Sequence, residues 1–334
     1  MKAIKRAKIF STPRIPLETV IPRNTPFSVE VDIASLCNLK CKFCYHSDRE
    51  QVKASGVNFG IMDMQLYKKI IDDMKEFSQK PAKLKLFEFG EPLLNKNMPD
   101  MIRYAREKNV AGSIETVTNG ILLNKTLNRE LVKAGLSRLN ISVESLSDEG
   151  YEKVTGVKIN FARYVEIIKD FYENKENCFV YIKLIDSGDL TQKEKDFFYH
   201  TFGDICDEIF IENAVPIWNG TIANENIINS VGSYGQQIKY KYVCPFIFTR
   251  MIINYDGIVS LCCTDWKRQE VIGNAKIECL CDIWNGQRLR DIQIKHLRDE
   301  RESIPLCKGC TTLCTSTIDD IDEYRQEILE RMMR

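Results

Sequence analysis

Three cysteines stand close together near the start of the chain, in the segment Cys37-Asn-Leu-Lys-Cys41-Lys-Phe-Cys44. Three thiolates on one short loop can hold three corners of a single cubane iron–sulfur cluster, which leaves the fourth iron open. An open iron can bind a cofactor or substrate, whereas a structural zinc site is closed by four protein ligands. Because His46 follows two residues later and could be a fourth ligand, structural zinc remains a second interpretation.

A second group of cysteines lies in the last third of the chain. Cys244 and Cys262 precede the pair Cys307-Lys-Gly-Cys310, and these four residues could supply the ligands of one closed metal site. Cys314 is available as a replacement ligand, and zinc is again the alternative to iron. Cys263 has no place in this set, because the neighbour of a ligand cannot easily bind the same iron. The chain therefore predicts two metal sites and one free thiol beside the second.

Composition restricts the kind of protein further. The chain has 334 residues and 13 cysteines, and a reducing cytoplasm disfavours disulfides, so clustered cysteines indicate metal ligands or catalytic groups. Lys and Arg total 47, as do Asp and Glu, so no general basic field predicts a nucleic-acid or membrane partner. No apolar run has the length of a signal peptide or a membrane span, and we expect a cytoplasmic protein.

The elements that must position these cysteines follow a repeated strand–helix pattern. Apolar or alternating runs predict six strands, at 27–33, 83–89, 112–117, 138–143, 179–185 and 207–212. Helix-period segments lie between them, at 63–78, 98–108, 126–135, 160–174 and 191–202. This alternation favours an α/β fold with a parallel sheet, a partial (β/α)6 TIM-like barrel with chemistry at the carboxyl ends of its strands. A doubly wound sheet is the alternative.

The strand–helix pattern stops near residue 215, where Gly-, Asn- and Ser-rich sequence precedes the second cysteine group. A charged helical tail is expected after the last cysteines. We predict a division into an N-terminal extension, a barrel, a linker, a small Cys-rich domain and a C-terminal helix, over 1–26, 27–215, 216–243, 244–315 and 316–334.

The first cysteines, with aromatic Phe43 just before Cys44 and Tyr45 just after it, resemble the signature of the radical S-adenosylmethionine (radical SAM) superfamily. The resemblance implies that Cys37, Cys41 and Cys44 hold a [4Fe–4S] cluster whose open iron is chelated by SAM. It also implies reductive cleavage of SAM to a 5′-deoxyadenosyl radical that abstracts a substrate hydrogen. Phe43 is then expected against the adenine, and a reductant such as flavodoxin or ferredoxin is an expected partner.

Three further segments follow the predicted strands in the order found in that family. Phe89-Gly90-Glu91-Pro92 resembles the motif for the SAM amino group, because a Gly and a Pro turn carbonyls and a carboxylate toward an ammonium. Thr118-Asn119-Gly120 follows the third strand, and Ile141-Ser142-Val143-Glu144-Ser145 covers the end of the fourth. By resemblance, SAM is expected to bind Gly90, Glu91, Pro92, Asn119, Ser142 and Glu144, with the last two at the ribose.

One position departs from the family pattern. Many relatives carry an arginine about a dozen residues beyond the serine, where this chain has Val154-Thr155-Gly156. The SAM carboxylate would then lack its usual partner. Lys183, on the fifth predicted strand, is the candidate replacement if it points inward; otherwise it is a solvated surface lysine.

The order of residues from 244 to 314 resembles the SPASM and shorter twitch extensions of radical SAM enzymes, which bind auxiliary [4Fe–4S] clusters. The resemblance implies one auxiliary cluster here, held by Cys244, Cys262, Cys307 and Cys310. Some epimerases with this extension use the second of two adjacent cysteines to return a hydrogen atom to the substrate radical. Cys263 is the candidate for that role, and a buried apolar cysteine without chemistry is the alternative.

The substrate is the least determined part of this interpretation. Trp218, Asp265 and Trp266 are aromatic and acidic residues of the kind that bind sugar rings. We expect a small molecule, such as an aminoglycoside or an activated sugar, that is epimerised or oxidised. Peptide or protein modification by the same radical chemistry is one alternative, although only about 26 residues precede the first predicted strand. A zinc-stabilised scaffold protein is the alternative from another class.

Overall fold

The computed structural model describes residues 1–11, 13–218 and 230–334. Its strands are β1 (Ile4–Lys5), β2 (Ser28–Val31), β3 (Lys83–Lys85), β4 (Ser113–Thr118), β5 (Arg138–Val143), β6 (Phe179–Asp186), β7 (Glu208–Asn213), β8 (Arg250–Ile253), β9 (Ile258–Ser260) and β10 (Val271–Asn274).

The α-helices within the same ranges are α1 (Arg49–Ala54), α2 (Met64–Asp73), α3 (Met98–Lys108), α4 (Lys125–Lys133), α5 (Asp148–Thr155), α6 (Phe161–Glu173), α7 (Gln192–Phe202), α8 (Leu280–Asn285), α9 (Gln287–Leu297), α10 (Thr312–Thr315) and α11 (Arg325–Met333). Short 3-10 helices cover Lys8–Phe10, Leu17–Thr19, Tyr45–Ser47, Met74–Glu76, Pro92–Leu94, Pro245–Phe248, Arg301–Ser303 and Asp322–Tyr324.

All these strands belong to one sheet, in the order β1-β7-β6-β5-β4-β3-β2-β8-β9-β10. From β2 to β7 each strand pairs in parallel with the next, and at least one α-helix connects each pair. Because β1 and β10 form two separate edges, the sheet does not close. The predicted α/β fold is therefore confirmed: a partial barrel of six β/α units, followed by a Cys-rich region and a helical tail.

Local sequence explains why the helices form and how they pack on the sheet. In α2, the Asp63 carboxylate accepts hydrogen bonds from two backbone N–H groups of the first turn and caps the helix. Its apolar residues recur at helical spacing, so that Leu66, Tyr67, Ile70 and Ile71 are buried on one face. Each such side chain removed from water contributes on the order of 1.5–3 kcal/mol, which holds the helix against the sheet.

The C-terminal cysteine region continues the same sheet. Strand β8 pairs in parallel with β2, with Arg250 opposite Ser28, and β9 and β10 follow in antiparallel order. At the other edge, β1 pairs with β7. The predicted linker over 216–243 falls partly on 219–229, which lie outside the described residues, and the division into domains stays a prediction. None of the helices in the described ranges combines the length and apolar character that a membrane span requires.

Candidate functional site

The first cysteine group follows β2 at the carboxyl end of that strand, where parallel barrels place their chemistry. Burial raises the pKa of the Cys37 thiol to about 11 and that of Cys44 to about 12, and holds the pKa of Cys41 well above its usual range. The neighbouring sulfurs add to the shifts at Cys41 and Cys44, so the three thiols lie within electrostatic reach of one another. This donor set fits a metal cluster, because metal binding displaces thiol protons. Phe43, on the same loop, is half-buried.

A close backbone approach joins the cysteine loop to the segment after β3. A Cβ placed on Gly90 would lie 2.3 Å from the carbonyl oxygen of Leu36 and 2.4 Å from that of Ala34. The backbone N–H of Glu91 donates to the same Leu36 oxygen at 2.8 Å. Only glycine fits here without moving backbone, so Gly90 allows the cysteine loop to pack directly on this segment.

The Glu91 carboxylate is buried and accepts three hydrogen bonds from the chain itself. Its donors are the Leu93 N–H at 3.0 Å, the Thr118 hydroxyl at 2.6 Å and the Asn119 N–H at 2.8 Å. Burial raises its pKa to about 7, and these hydrogen bonds oppose the shift. Glu91 therefore ties the loop after β3 to the loop after β4. Pro92, the next residue, is buried at the start of its 3-10 helix.

Asn119 connects the loop after β4 to the cysteine loop. Its side-chain Nδ2 donates to the Oδ1 of Asn38, the residue after Cys37, at 2.8 Å. Its backbone carbonyl accepts a hydrogen bond from the Tyr164 hydroxyl at 3.0 Å. The loops predicted to bind SAM and the loop predicted to bind the cluster are thus joined by direct hydrogen bonds.

Ser142 lies on β5 and Glu144 directly follows that strand, and both side chains are half-buried. The Oε2 atom of Glu144 is buried and has no hydrogen-bond partner within the described residues. Burial raises the pKa of this carboxyl to about 7, while the Lys183 cation lowers it. A buried carboxylate oxygen without a donor fits a ligand that carries hydroxyl groups, as the ribose of SAM does.

Lys183, the predicted partner of the SAM carboxylate, lies on β6 opposite Ser142. Its ammonium group binds the Glu212 carboxylate on β7 at 2.8 Å. Lys183 also acts on the pKa of Glu144, so its side chain points toward the inner side of the barrel rather than to bulk solvent. Its charge is already paired, and its role toward SAM stays a prediction.

Val154-Thr155-Gly156, the segment that stands where many relatives have an arginine, has a structural role. The backbone N–H of Lys40 donates to the Thr155 carbonyl at 3.1 Å, and that of Lys42 donates to the Val154 carbonyl at 3.0 Å. These two bonds hold the cysteine loop from the side of α5. The segment therefore supports the loop through its backbone rather than through a cationic side chain.

His46 was the possible fourth zinc ligand. Its Nε2 is 2.8 Å from the carbonyl oxygen of Phe89, and its ring stacks on Tyr45 with the ring centres 4.3 Å apart. Since a carbonyl oxygen only accepts, Nε2 carries the proton and donates it. A nitrogen in that state cannot bind a metal, which argues against closure of the site by this atom.

Aromatic residues connect the two cysteine regions. The Tyr45 ring stacks on Trp266 with centres 4.6 Å apart and contacts the edge of Trp218 at 4.9 Å. Trp266 is only 4% exposed and packs in a small cluster with Tyr45, Phe89 and Ile252. Trp266 therefore packs the C-terminal region onto the cysteine loop instead of offering a free face to a sugar.

The carboxylate of Asp265 also serves the fold. It accepts hydrogen bonds from the backbone N–H groups of Gln269 at 2.8 Å and Glu270 at 2.9 Å. It is 1% exposed, and burial raises its pKa to about 6. The suggestion that Asp265 binds a sugar ring is not supported by these contacts, since the side chain closes the turn between β9 and β10.

The second cysteine group brings three thiols together. Burial raises the pKa of Cys244 to about 12, and Cys310 adds to this shift. Burial also raises the pKa of Cys307, with smaller contributions from Cys244 and Cys310. Gly309, with a φ of 66°, allows the turn in which the Cys310 N–H donates to the Cys307 carbonyl at 3.1 Å. The Arg301 guanidinium donates to both carbonyls of this pair, at 3.1 and 3.3 Å.

Cys262 and Cys263 follow β9 beside this group. The Cys262 sulfur lies 3.5 Å from the Thr264 hydroxyl, whereas the Nη1 of Arg250 donates to the Cys263 sulfur at 3.8 Å. Cys263 also raises the pKa of Cys244, so the adjacent cysteines border the other three thiols. Arg250, which contacts the Cys263 sulfur, also lines a cavity inside the barrel.

The remaining cysteines lie elsewhere. Cys314, the replacement ligand, is buried in α10, and Cys178 and Cys206 belong to the main hydrophobic core. The sulfurs of Cys279 and Cys281 are 3.0 Å apart at the start of α8, outside the predicted ligand set.

Sequence analysis missed a layer of charged residues on the inner side of the sheet. Its members alternate with apolar residues along the strands and include Glu30, Lys83, Lys85, Glu115, Arg138 and Arg250. The signal was available as charges at every second position of predicted barrel strands, since alternate residues share one face. Lys8, which enters this layer from the N-terminal segment, had no such signal.

Two family models match the sequence. The model of the radical SAM superfamily covers residues 31–186, and that of the iron–sulfur cluster-binding domain SPASM covers residues 244–311. The chain belongs to the radical SAM superfamily. Radical SAM proteins use a [4Fe–4S] cluster that binds SAM, and SPASM domains bind auxiliary iron–sulfur clusters, so these are the cofactors of this radical SAM protein.

Relatives of known name match different shares of the chain. A probable GTP 3′,8-cyclase of Methanococcus vannielii is 33% identical over 129 residues, which cover 39% of this chain and 40% of that protein. The match therefore spans less than half of that relative. The tungsten-containing aldehyde ferredoxin oxidoreductase cofactor-modifying protein of Pyrococcus furiosus is 25% identical over 336 residues, covering 86% of this chain and 90% of that protein.

Solved structures share the fold over most of the chain. BtrN in complex with AdoMet and 2-DOIA superimposes with a TM-score of 0.57 and 17% identity, covering 88% of this chain and 96% of BtrN. SuiB of Streptococcus suis bound to the precursor peptide SuiA gives a TM-score of 0.62 at 15% identity, covering 82% of this chain and 67% of SuiB. At these identities the likeness is one of fold alone.

Proposed function

We propose that this radical SAM protein removes a hydrogen atom from a carbohydrate-like small molecule and thereby epimerises or oxidises one of its carbons. The observation that carries this proposal is the position of Cys263. Its thiol lies 3.8 Å from the Arg250 guanidinium, which lines the cavity inside the barrel, and it borders the second group of thiols. A thiol at that place can return a hydrogen atom to a carbon radical.

Cys37, Cys41 and Cys44 would hold the cluster that binds SAM. When bound, the cluster and SAM supply the abstraction of a hydrogen atom. The chain's own contribution is to place this site rigidly on the end of the barrel. Gly90 permits the close packing of the cysteine loop, and Glu91 joins two of the surrounding loops.

The remaining proposed SAM contacts come from three strand ends. Glu144 would accept hydrogen bonds from the ribose, because its Oε2 has no donor within the described residues. Asn119 is held in place through Asn38, and Phe43 would face the adenine. Lys183 would contact the SAM carboxylate while it also keeps its ion pair with Glu212.

The auxiliary cluster would be held by Cys244, Cys307 and Cys310 together with Cys262. Cys310 raises the pKa of Cys244, and both of them raise the pKa of Cys307, which supports the common membership of these three thiols in one site. Arg301 stabilises the turn between Cys307 and Cys310 and adds a positive charge beside it. We propose one auxiliary cluster, because a SPASM domain with two clusters usually needs more cysteines in its final run than this chain offers, and all four of these cysteines lie within the matched residues 244–311.

The two reactions differ in electron count. In epimerisation the carbon loses a hydrogen atom from one face and gains the hydrogen of the Cys263 thiol on the other. The sulfur radical left behind then takes one electron and one proton, with the electron from a reductant such as flavodoxin or ferredoxin. In oxidation the carbon radical would instead pass one electron to the auxiliary cluster held by the second cysteine group and one proton to solvent, and no hydrogen would return from Cys263.

The central experiment is anaerobic reconstitution of the wild type and of a variant with Cys37, Cys41 and Cys44 all changed to alanine. We expect the wild type to bind two clusters by iron analysis and to form 5′-deoxyadenosine from SAM under dithionite. The variant should keep the auxiliary cluster and form no 5′-deoxyadenosine. A colourless protein that binds zinc and leaves SAM intact would instead support the scaffold alternative.

Cys263→Ala separates the two reactions. In deuterated water an epimerase should deliver one deuterium to the product through the exchangeable thiol. The variant should then accumulate oxidised or uncoupled product, whereas a dehydrogenase should be little affected. Cys178→Ala, a buried cysteine in the core of the barrel, serves as the control for loss of a thiol.

Peptide modification is the second candidate function. It is supported by the fold that the chain shares with SuiB, whose structure contains a precursor peptide. A small-molecule substrate is supported by the fold that the chain shares with BtrN, which was solved with 2-DOIA and is covered over 96% of its length. Incubation with peptides encoded beside the gene, followed by mass spectrometry, distinguishes the two.

A further inference from the structure

A large cavity lies inside the partial barrel, below the strand ends that carry the cysteine loop. Its volume is about 840 Å³, which is in the range of pockets that enclose small ligands. Its walls come from β2, β3, β4, β5, β6 and β8, and from the N-terminal segment around Lys8. The described lining includes six basic side chains, which are Lys8, Arg14, Lys83, Lys85, Arg138 and Arg250.

Most of these cations already have anionic partners. Lys83 binds Glu115 at 2.8 Å, Lys85 binds Glu30, and Arg138 lies 3.5 Å from Glu208. The first two ion pairs link neighbouring strands, and the third joins β5 to β7 across β6. Together they explain why the sheet tolerates charges on its inner side.

Lys8 is different. Its backbone N–H donates to the Tyr181 hydroxyl at 3.1 Å, which fixes the residue against β6. Its ammonium lies 5.4 Å from the centre of the Phe87 ring and makes no ion pair among the described residues. Burial lowers its pKa to about 7, Glu115 raises it, and Lys85, Arg138 and Lys83 lower it further.

The three other cations that act on Lys8 each have a carboxylate partner, whereas the Lys8 ammonium has none among the described residues and adds one uncompensated positive charge to the cavity. Each of these groups is held by the fold, so the positive potential persists when the cavity contains only water. An anion of small size would relieve the repulsion and gain charge-assisted hydrogen bonds.

We propose that this cavity binds the phosphoryl group of a sugar phosphate or nucleotide sugar, with Lys8 as its principal contact and Lys83 and Arg138 beside it. The inference deepens the proposed function, and it rests on that function for the statement that the bound molecule is the substrate. A phosphoryl group suits the site because its several oxygens can bind several cations at once.

The cavity is also connected to the proposed chemistry. Arg250 belongs to its wall and contacts the Cys263 sulfur, so one guanidinium touches both the cavity and the proposed hydrogen donor. Glu88, another wall residue, stands two positions before Gly90, and its buried Oε2 has no hydrogen-bond partner in the part of the chain that the structure describes. A molecule anchored by its phosphoryl group near Lys8 would therefore extend its sugar toward Arg250, Glu88 and Cys263.

The same charges decide between the two small-molecule classes that the sequence left open. An aminoglycoside carries several ammonium groups, and it would meet a lining with six basic residues and four acidic ones, Glu30, Glu88, Glu115 and Asp319. Burial, with a further contribution from the Glu30 carboxylate, holds the pKa of Glu88 well above its usual range, which weakens this acid as a partner for a cationic ligand. The cavity therefore favours an activated sugar over an aminoglycoside.

The test is calorimetric titration of the reconstituted protein with inorganic pyrophosphate, and separately with glucose 1-phosphate, glucose and kanamycin, at constant ionic strength. We expect both phosphorylated probes to bind and glucose and kanamycin to bind at least tenfold more weakly. Lys8→Gln should weaken pyrophosphate binding roughly tenfold, the value of one charged hydrogen bond. Lys8→Arg keeps the charge and should retain most of the affinity.

Lys5→Gln is the matched control from the same segment. Lys5 lies over the Tyr199 ring at 3.7 Å, outside the cavity lining, so its loss should leave pyrophosphate binding unchanged. Absence of pyrophosphate binding, or binding that Lys8→Gln and Lys5→Gln reduce equally, would overturn the inference.

This test is independent of the proposed reaction. If the wild type cleaves SAM but does not bind pyrophosphate, the cavity assignment fails and the proposed function stands. If it binds pyrophosphate through Lys8 but never cleaves SAM, the proposed function fails and the anion site stands.

Discussion

Gly90→Ala is the substitution for which the structure makes the sharpest prediction. The added Cβ would lie 2.3 Å from the Leu36 carbonyl oxygen, 2.4 Å from that of Ala34 and 2.6 Å from the carbonyl carbon of Ser35. All three atoms are backbone, so no side chain can rotate away, and the cysteine loop must shift. Overpacking of this kind costs about 1–3 kcal/mol in stability. The larger effect should be on Cys37, which directly follows Leu36.

The assay compares iron content after anaerobic reconstitution and the rate of 5′-deoxyadenosine formation with the free energy of unfolding. We expect Gly90→Ala to lose most of the iron of the SAM-binding cluster and to retain the auxiliary cluster. Gly188→Ala is the control, because Gly188 has a φ of 97° and no atom within 4 Å of a built Cβ. It should lower stability by about 1–2 kcal/mol through backbone strain and leave both clusters intact.

Two results would refute the reasoning. Full cluster content and normal SAM cleavage in Gly90→Ala would show that the loop does not depend on this packing. Equal loss of both clusters in Gly90→Ala and Gly188→Ala would show that general instability, and not the displaced loop, controls cluster binding.

Three further predictions concern single side chains. Glu91 and Glu144 have folded-state pKa values of about 7 against an ordinary 4.5, so the folded protein binds more protons between these values. The unfolding free energy of the cluster-free protein should therefore fall as the pH rises from about 4.5 to about 7, and Glu144→Gln should flatten this slope in denaturation series. His46→Phe should lower stability by about 1 kcal/mol through loss of the bond to Phe89, with unchanged iron content; loss of metal would restore His46 as a ligand. Asp265→Ala should cost about 1–3 kcal/mol in thermal unfolding, because two backbone N–H groups lose their acceptor, and SAM cleavage should persist. Loss of substrate binding without loss of stability would return Asp265 to the substrate site.

Local patterns determined where most elements lie. The predicted strand over 138–143 and helix over 98–108 coincide with β5 and α3, because alternation and helical spacing depend only on near neighbours. The strand predicted over 83–89 is shorter, since β3 ends at Lys85. The Phe89 N–H donates to the Asp32 carboxylate at 3.2 Å, so this part of the segment leaves the sheet to meet the cysteine loop.

The cysteine spacing and the order of the motifs were sufficient for the family, because an iron–sulfur site needs a particular set of donors within one loop. They were insufficient for the roles of individual side chains. By sequence alone His46 could be a metal ligand. In the fold its Nε2 instead donates a hydrogen bond to the carbonyl oxygen of Phe89, more than forty positions away. The role of Asp265 also depends on the fold, because its carboxylate accepts hydrogen bonds from two backbone N–H groups of the turn that follows it.

The sequence by itself determined the strand–helix repeat, the cluster loop and the superfamily, all of which depend on residue types at short spacing. Only the tertiary structure decided that β8 pairs with β2, which places Arg250 beside Glu30 and Cys263. Only the folded chain brings Lys8 to the inner side of β6. The physical reason is that strand neighbours and electrostatic fields depend on residues far apart in the chain, whose separation in space no local pattern records.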